Sequence, residues 1–289
     1  MFSQFFGYEL LQSGLVNEAQ MQEALARKAE TKVKLGVMAI NAGYMTAGQV
    51  ERVHEQQKLV DKRIGDIAVD MGFITAEQVN GLLTAQKPAH LLLGQTLVDL
   101  GFLSNAQLET ALAGFKAKYG LSDEDFINEA ACKAKAIVVS YLQLAEKDDL
   151  LAEYVILLYK SLTRFITDDY TPVAANDRAA VPDAVIMQEV TGPFAAETWV
   201  EGAEAALTAF ATRFAGESLE SLDDFAEGVV SEFMNLNNGM FAVKLSKERE
   251  LELSLEPPVV TRGKAAKNGG IVVPVGFAFG VVWFVIKTA

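Results

Sequence analysis

Cysteine and histidine are almost missing from this chain. Its 289 residues hold one cysteine, Cys132, and two histidines, His54 and His90. A lone cysteine cannot close an internal disulfide, which fits a reducing compartment, and so few soft ligands argue against a zinc site. Basic residues are scarce too: 25 Lys and Arg stand against 38 Asp and Glu, a formal net charge of -13. No basic face large enough to hold a nucleic-acid backbone is apparent, which argues against DNA or RNA as the main partner. The imbalance is uneven, with a net of -1 over residues 1–119 and -12 over the rest. Met1-Phe2-Ser3-Gln4 lacks the basic region and long apolar run of a signal peptide. The most apolar stretch, Ile271 to Ile286, is shorter than the about 20 residues that a spanning helix needs. It contains Pro274, Gly276 and Gly280 and is rich in Val and Phe, so it reads as two buried strands. The expectation is a soluble, cytoplasmic protein with no membrane or nucleic-acid partner.

What is present is a beat. Gly7, Gly36, Gly65 and Gly94 stand 29 residues apart, as do Gly14, Gly43, Gly72 and Gly101, and Gln20, Gln49, Gln78 and Gln107. The period lies in the range of helical repeat units. In the third copy Ile64, Ile67, Ala68 and Met71 recur at helical spacing, and Gly72 follows where a left-handed residue ends a short helix. Thr75-x-x-Gln78 is a capping box that opens a second helix. The same box recurs as Asn17-x-x-Gln20, Thr46-x-x-Gln49 and Ser104-x-x-Gln107. Each unit is thus a helical hairpin that buries its apolar face only against other units. A scaffold explains the second glycine of each unit. The earlier glycine, at the start of a helix, is costly unless something approaches the backbone closely.

The copies are not equal. The second runs from Lys34-Leu35-Gly36 to Gln57 and the third from Arg63-Ile64-Gly65 to Gln86, separated by the five residues Lys58–Lys62. The first and fourth begin Phe5-Phe6-Gly7 and Leu92-Leu93-Gly94 and lack the terminal Gln. Over about residues 5–116 this pattern resembles the N-terminal domain of secretion and pilus-assembly ATPases, and in particular the MshEN subtype. The resemblance implies that the inner pair binds cyclic di-GMP. Lys34 and Arg63 would supply charge and guanine contacts, and Leu35, Gly36, Gly43, Gln57, Ile64, Gly65, Gly72 and Gln86 would complete the site. Lys34 stands where the family has Arg, and Ile64 where it has Leu. Three readings stay open for this module: nucleotide binding, a protein-docking surface, and a plain scaffold.

Beyond Gly120 the beat stops. Ser122 to about Leu144 and Asp148 to Ile166 read as helices, and 168–183 as a linker or loop. Val185-Ile186-Met187 and Phe194 to Val200 have strand texture. Ala203 to Phe214 and Leu222 to Asn235 read as helices, followed by strands at Phe241–Leu245, Leu251–Leu255, Ile271–Val275 and Phe277–Ile286. The expected fold is multidomain. An all-α helical-hairpin repeat module spans 1–119, a helical connector that begins the C-terminal domain spans 120–183, and an α+β domain spans 184–289, its antiparallel sheet backed by long helices.

One pair of residues carries chemistry. Glu232 and Asn235 stand three apart on a helix, so their carboxylate and amide share a face. Such a pair is common and reads by itself as a solvated helix face. Here it sits in Glu232-x-x-Asn235-x-x-x-Gly239, followed by Pro257-Pro258-Val259-Val260 and preceded by Val190-Thr191-Gly192. Over about residues 150–289 that pattern resembles the CheX-type chemotaxis phosphatases. The resemblance implies dephosphorylation of an aspartyl phosphate on a response-regulator receiver domain, with a homodimer as the assembly. Glu232 would pair with a receiver lysine and Asn235 would orient the attacking water. No intrinsic cofactor is implied, since the receiver supplies Mg²⁺. Gly228 stands four residues before the glutamate, where that family often has Asp or Ser. The alternative is a non-catalytic adaptor that docks or dimerises in chemotaxis, secretion or pilus signalling.

Overall fold

The computed structural model describes residues 1–85, 89–122, 125, 131–145, 148–175, 178–264 and 269–288, with the side chains of Ala131 and Cys132 excepted. The chain divides into two compact units, one formed by residues 2–133 and the other containing 134–289. The division falls inside the stretch expected to act as a connector.

The described elements of residues 2–119 are all helical: α1 (Phe2–Gln12), α2 (Glu18–Arg27), a 3-10 turn (Lys28–Glu30), α3 (Leu35–Asn41), α4 (Ala47–Gln57), α5 (Ile64–Asp70), α6 (Ala76–Thr84), α7 (Ala89–Asp99) and α8 (Asn105–Tyr119). All four capping boxes are formed, each side chain accepting from the amide three residues on while the Gln returns to the cap. Gly14, Gly43, Gly72 and Gly101 hold φ of 68°, 68°, 70° and 73°, the left-handed backbone that ends each first helix.

The copies do not stack in chain order. The fourth packs against both the first, through α1 with α7 and α8, and the second, through α3 with α7 and α8. The second then packs on the third through α3 with α6 and α4 with α5. Spatially the order is first, fourth, second, third. Central placement shows in burial: α7 buries seven residues from His90 to Leu97, whereas α6 in the third copy buries none. Around the second and third copies, Ile40, Met45, Val50, Val53, Ile67 and Ile74 form one apolar cluster.

The second unit contains α9 (Ala131–Leu142, which begins just before the division), α10 (Asp149–Phe165), β1 (Tyr170–Pro172), β2 (Ala184–Thr191), β3 (Ala196–Gly202), α11 (Glu204–Ala215), α12 (Asp224–Arg249), β4 (Ser254–Leu255), β5 (Val259–Arg262), β6 (Ile271–Phe277) and β7 (Gly280–Thr288). The strands form one antiparallel sheet in the order β1-β6-β7-β3-β2, with β4 and β5 both pairing with the far side of β2. The apolar run near the C-terminus is therefore a β6–β7 hairpin. Helices α11 and α12 cover one face of the sheet, where Phe210, Phe214, Phe233 and Phe284 meet edge to face or tilted. Val185, Trp199 and Val285 form a cluster on the opposite face.

Three expectations are corrected. Phe241–Leu245 is helix, not strand, because α12 runs 26 residues to Arg249. Asn237 and Asn238 do not break it: their side chains bond to Ser161 and Tyr154 of α10, while Phe241 and Leu245 continue the buried stripe of Val230, Phe233 and Met234. Of Leu251–Leu255 only Ser254–Leu255 is strand. The expected loop at 168–183 contains edge strand β1, whose Pro172 sits where few ladder bonds are needed. The start of the helix expected from Ser122 lies largely outside the described residues. At its first turn the Ser122 amide donates to Asp125 Oδ2 at 2.6 Å.

Candidate functional site

Asn235 sits near the middle of α12, half-buried, and Glu232 is exposed on the same face. Gly228 completes an i, i+4, i+7 row with them, and a Cβ there would meet nothing within 4 Å. Glu227 beside it is not a substitute for an acid at that position. It is buried and turned to Arg262 of β5, which also donates to the Leu222 carbonyl.

Beneath Asn235 lies a polar network that joins α10, α12, β2 and β3. Gln188 of β2 is 1% exposed and donates from Nε2 to Asn235 Oδ1 at 2.9 Å and to the Glu256 carbonyl at 2.9 Å. Asn238 donates from Nδ2 to Gln188 Oε1 at 2.8 Å and to Thr198 Oγ1 at 2.9 Å. Thr198 donates to the Gln188 carbonyl at 3.1 Å, and Tyr154 of α10 donates to Asn238 Oδ1 at 2.6 Å. Burial pushes the Tyr154 phenol up to about 12, so it stays a neutral donor. The local sequence makes this possible. Gln188 and Thr198 are direct cross-strand partners and so share one face of the sheet. Between β4 and β5, Pro257 and Pro258 interrupt the pairing with β2, leaving the Glu256 carbonyl to face Gln188.

Thus the Glu-x-x-Asn and Pro-Pro stretches, remote in sequence, converge on one side chain. Sequence reasoning missed Gln188. Its signal was an amide at an inward position of a strand, between Ile186 and Val190, both buried on the same face.

In the helical unit, the expected ligand-binding residues take intramolecular roles. Lys34 Nζ bonds Asp99 Oδ1 at 2.6 Å, and its backbone amide donates to Gln95 Oε1 at 3.0 Å. Gln57 donates to the Lys62 carbonyl at 3.2 Å. A Cβ on Gly36 would fall 2.7 Å from Val50 Cγ1, and one on Gly65 3.1 Å from Val79 Cγ1 and 3.2 Å from Leu35 Cδ2. The close neighbour that those glycines require is therefore the helix 14 residues on, as it is for Gly94 against Leu108. Gly43 and Gly72 form the turns, and Ile64 packs against the apolar cluster. Arg63 is exposed, and its side chain makes no ion pair or hydrogen bond with the described residues. Leu35 lies beside Gly65, which brings the starts of α3 and α5 together. Gln86 lies outside the described residues. The charged starts also track burial: Lys34 and Arg63 are exposed, Phe5 is buried and Leu92 half-buried.

No protein-family model matches the chain, and no curated protein matches it. Solved structures do match over about half of it. A CheC-like superfamily protein from Shewanella sp. PV-4 is 21% identical with a TM-score of 0.42, covering 48% of this chain and 97% of that one. Chemotaxis protein CheX from Vibrio vulnificus is 17% identical with a TM-score of 0.41, covering 49% and 99%. A CheX–CheY–BeF3–Mg²⁺ complex from Borrelia burgdorferi matches at 14% identity and a TM-score of 0.38, covering 48% and 97%.

Proposed function

We propose that the second unit binds a phosphorylated receiver domain and hydrolyses its aspartyl phosphate. The observation that carries this reading is Asn235 itself: an amide half-buried on a rigid helix, braced from below by Gln188, with an exposed carboxylate one turn away. An acyl phosphate has a good leaving group. Water attacks phosphorus in line, the bond from phosphorus to the aspartyl oxygen breaks, and the aspartate leaves as a carboxylate without needing a proton. The water's proton passes to the phosphate product. What remains for the phosphatase is positioning, which an amide performs without titrating. Glu232 supplies a docking charge for a receiver lysine. Mg²⁺ belongs to the receiver.

The test mixes the protein with an acetyl-phosphate-charged receiver and follows phosphate release. Asn235→Ala is expected to slow turnover about 100-fold or more, and Glu232→Lys to weaken binding. Equal rates for wild type and Asn235→Ala sink the assignment. The adaptor reading is favoured by one observation, the bare Gly228 with Glu227 turned inward. It requires receiver binding that Glu232→Lys abolishes, with no turnover in the wild type.

For the helical unit, cyclic di-GMP at the inner pair is a second proposal. It is supported by the adjacency of Leu35 and Gly65 and by the exposed Arg63 side chain, which has no partner among the described residues. Calorimetry with wild type and Arg63→Ala decides it: binding must be present in the first and lost in the second.

A further inference from the structure

Two groups that can only accept bracket the network under Asn235, and they set its direction. The Glu256 backbone carbonyl accepts, so the end of Gln188 that faces it is the amide nitrogen. The Gln188 backbone carbonyl likewise accepts, so the Thr198 hydroxyl spends its proton there and turns a lone pair towards Asn238. Asn238 must therefore meet Thr198 with Nδ2, and the same group donates to Gln188 Oε1. Tyr154, donating to Asn238 Oδ1, agrees with that orientation. From both ends Gln188 is held the same way, and its remaining amide hydrogen goes to Asn235, which answers with Oδ1.

We infer that Gln188 is a positioning residue that locks the Asn235 amide with its nitrogen outward, so that the group offered to a partner is a pair of N–H donors. The orientation follows from this chain alone, and its catalytic consequence rests on the phosphatase reading above. Nδ2 has no hydrogen-bond partner among the described residues, and it is not one of their buried unpartnered atoms, so it is open to solvent. A donor pair suits oxygen: the attacking water, or a non-bridging phosphoryl oxygen whose charge shifts during transfer. An unbraced asparagine would also turn its carbonyl outward and repel those same oxygens. Gln188 removes that alternative before the partner arrives, and Oδ1 keeps a second lone pair beside the Gln188 bond.

The experiment uses the full chain with Gln188→Met, which neither donates nor accepts as an amide does, and Gln188→Glu, which keeps an acceptor for Asn238. Thermal unfolding identifies the folded variants, and if the Met variant does not fold the Glu variant carries the test. With a phosphorylated receiver, kcat is expected to fall at least about tenfold while KM stays within about twofold. An unchanged kcat overturns the proposal, as does an equal loss in kcat and KM that tracks the fall in thermal midpoint. A second readout is independent of activity. In a 15N–1H spectrum, the Asn235 side-chain pair, identified by its loss in Asn235→Ala, is expected to move in Gln188→Met to the position of a freely solvated asparagine, and in Gln188→Glu to that of an amide donating to the new carboxylate. An unmoved pair overturns the role of Gln188 whether or not the protein is a phosphatase. A moved pair with no turnover in the wild type supports the role of Gln188 and overturns the phosphatase reading instead.

Discussion

The capping side chains of the helical unit and the core polar side chains of the second unit do different work. In the helical unit Asn17, Thr46, Thr75 and Ser104 each bond to an amide three residues on, and the device is repeated four times. In the second unit one network joins Tyr154, Gln188, Thr198, Asn235 and Asn238, whose bonded members lie between 10 and 84 residues apart. The first arrangement stabilises pieces one at a time. The second makes a helix, two strands and a further helix depend on each other, because a buried polar group that loses its partner bears the full desolvation cost.

His90 is the sharpest challenge to that division, being a buried titratable group within the helical unit. Burial first, and the nearby Lys116 charge second, bring its pKa down to about 3. Its folded pKa lies below the unfolded value of 6.5, so the unfolded chain binds the extra proton. Stability is full above about pH 6.5 and falls by up to about 1.4 kcal/mol per unit as pH drops towards 3. Denaturant unfolding of wild type and His90→Phe at several pH values should show this slope only in the wild type. A parallel slope in both would assign it elsewhere.

Asn238→Leu comes next. It strands the Tyr154 hydroxyl and Gln188 Oε1 in the core at about 1–3 kcal/mol each, measured by urea unfolding. A loss no larger than that of a single cap would break the comparison. Gly36→Ala forces a methyl to within 2.7 Å of Val50 and should cost about 1–3 kcal/mol. Adding Val50→Ala should return part of that loss, and no recovery would mean that the packing account is wrong. The smallest effect belongs to Thr75→Ala, about 1 kcal/mol, since it removes one local cap whose loss reaches no other element.

What was legible in the sequence follows the same line. The hairpins, their caps and their glycine turns were readable because each is written within a few residues. So were the β6–β7 hairpin and helix α11, expected over Ala203 to Phe214 and found at Glu204–Ala215. The continuation of α12 was not, because Asn237-Asn238-Gly239 looks like a turn until α10 supplies partners for both asparagines. Glu232 and Asn235 were legible as a pair, whereas the residue bracing Asn235 lies 47 positions earlier in a strand. The first glycine of each repeat invited a ligand reading, since only packing reveals Val50, Val79 and Leu108 as the neighbours that need the space. Loss of charge in the first and fourth copies has a similar origin, for Phe5 is buried and Leu92 partly so.

The spatial order of the repeats has a consequence for how the protein is made. In an ordinary solenoid each unit docks on its predecessor as soon as it leaves the ribosome. Here the copy synthesised last is the one that lies between the first and the second, holding Lys34 through Gln95 and Asp99 and Glu9 through Lys118 and Tyr119. A nascent chain ending before Ala89 leaves uncovered those faces of α1 and α3 that meet α7 and α8. The unit therefore completes itself only when α7 and α8 emerge, and a nonsense codon or ribosomal stall between the third and fourth copies yields an aggregation-prone fragment instead of a shorter stable array.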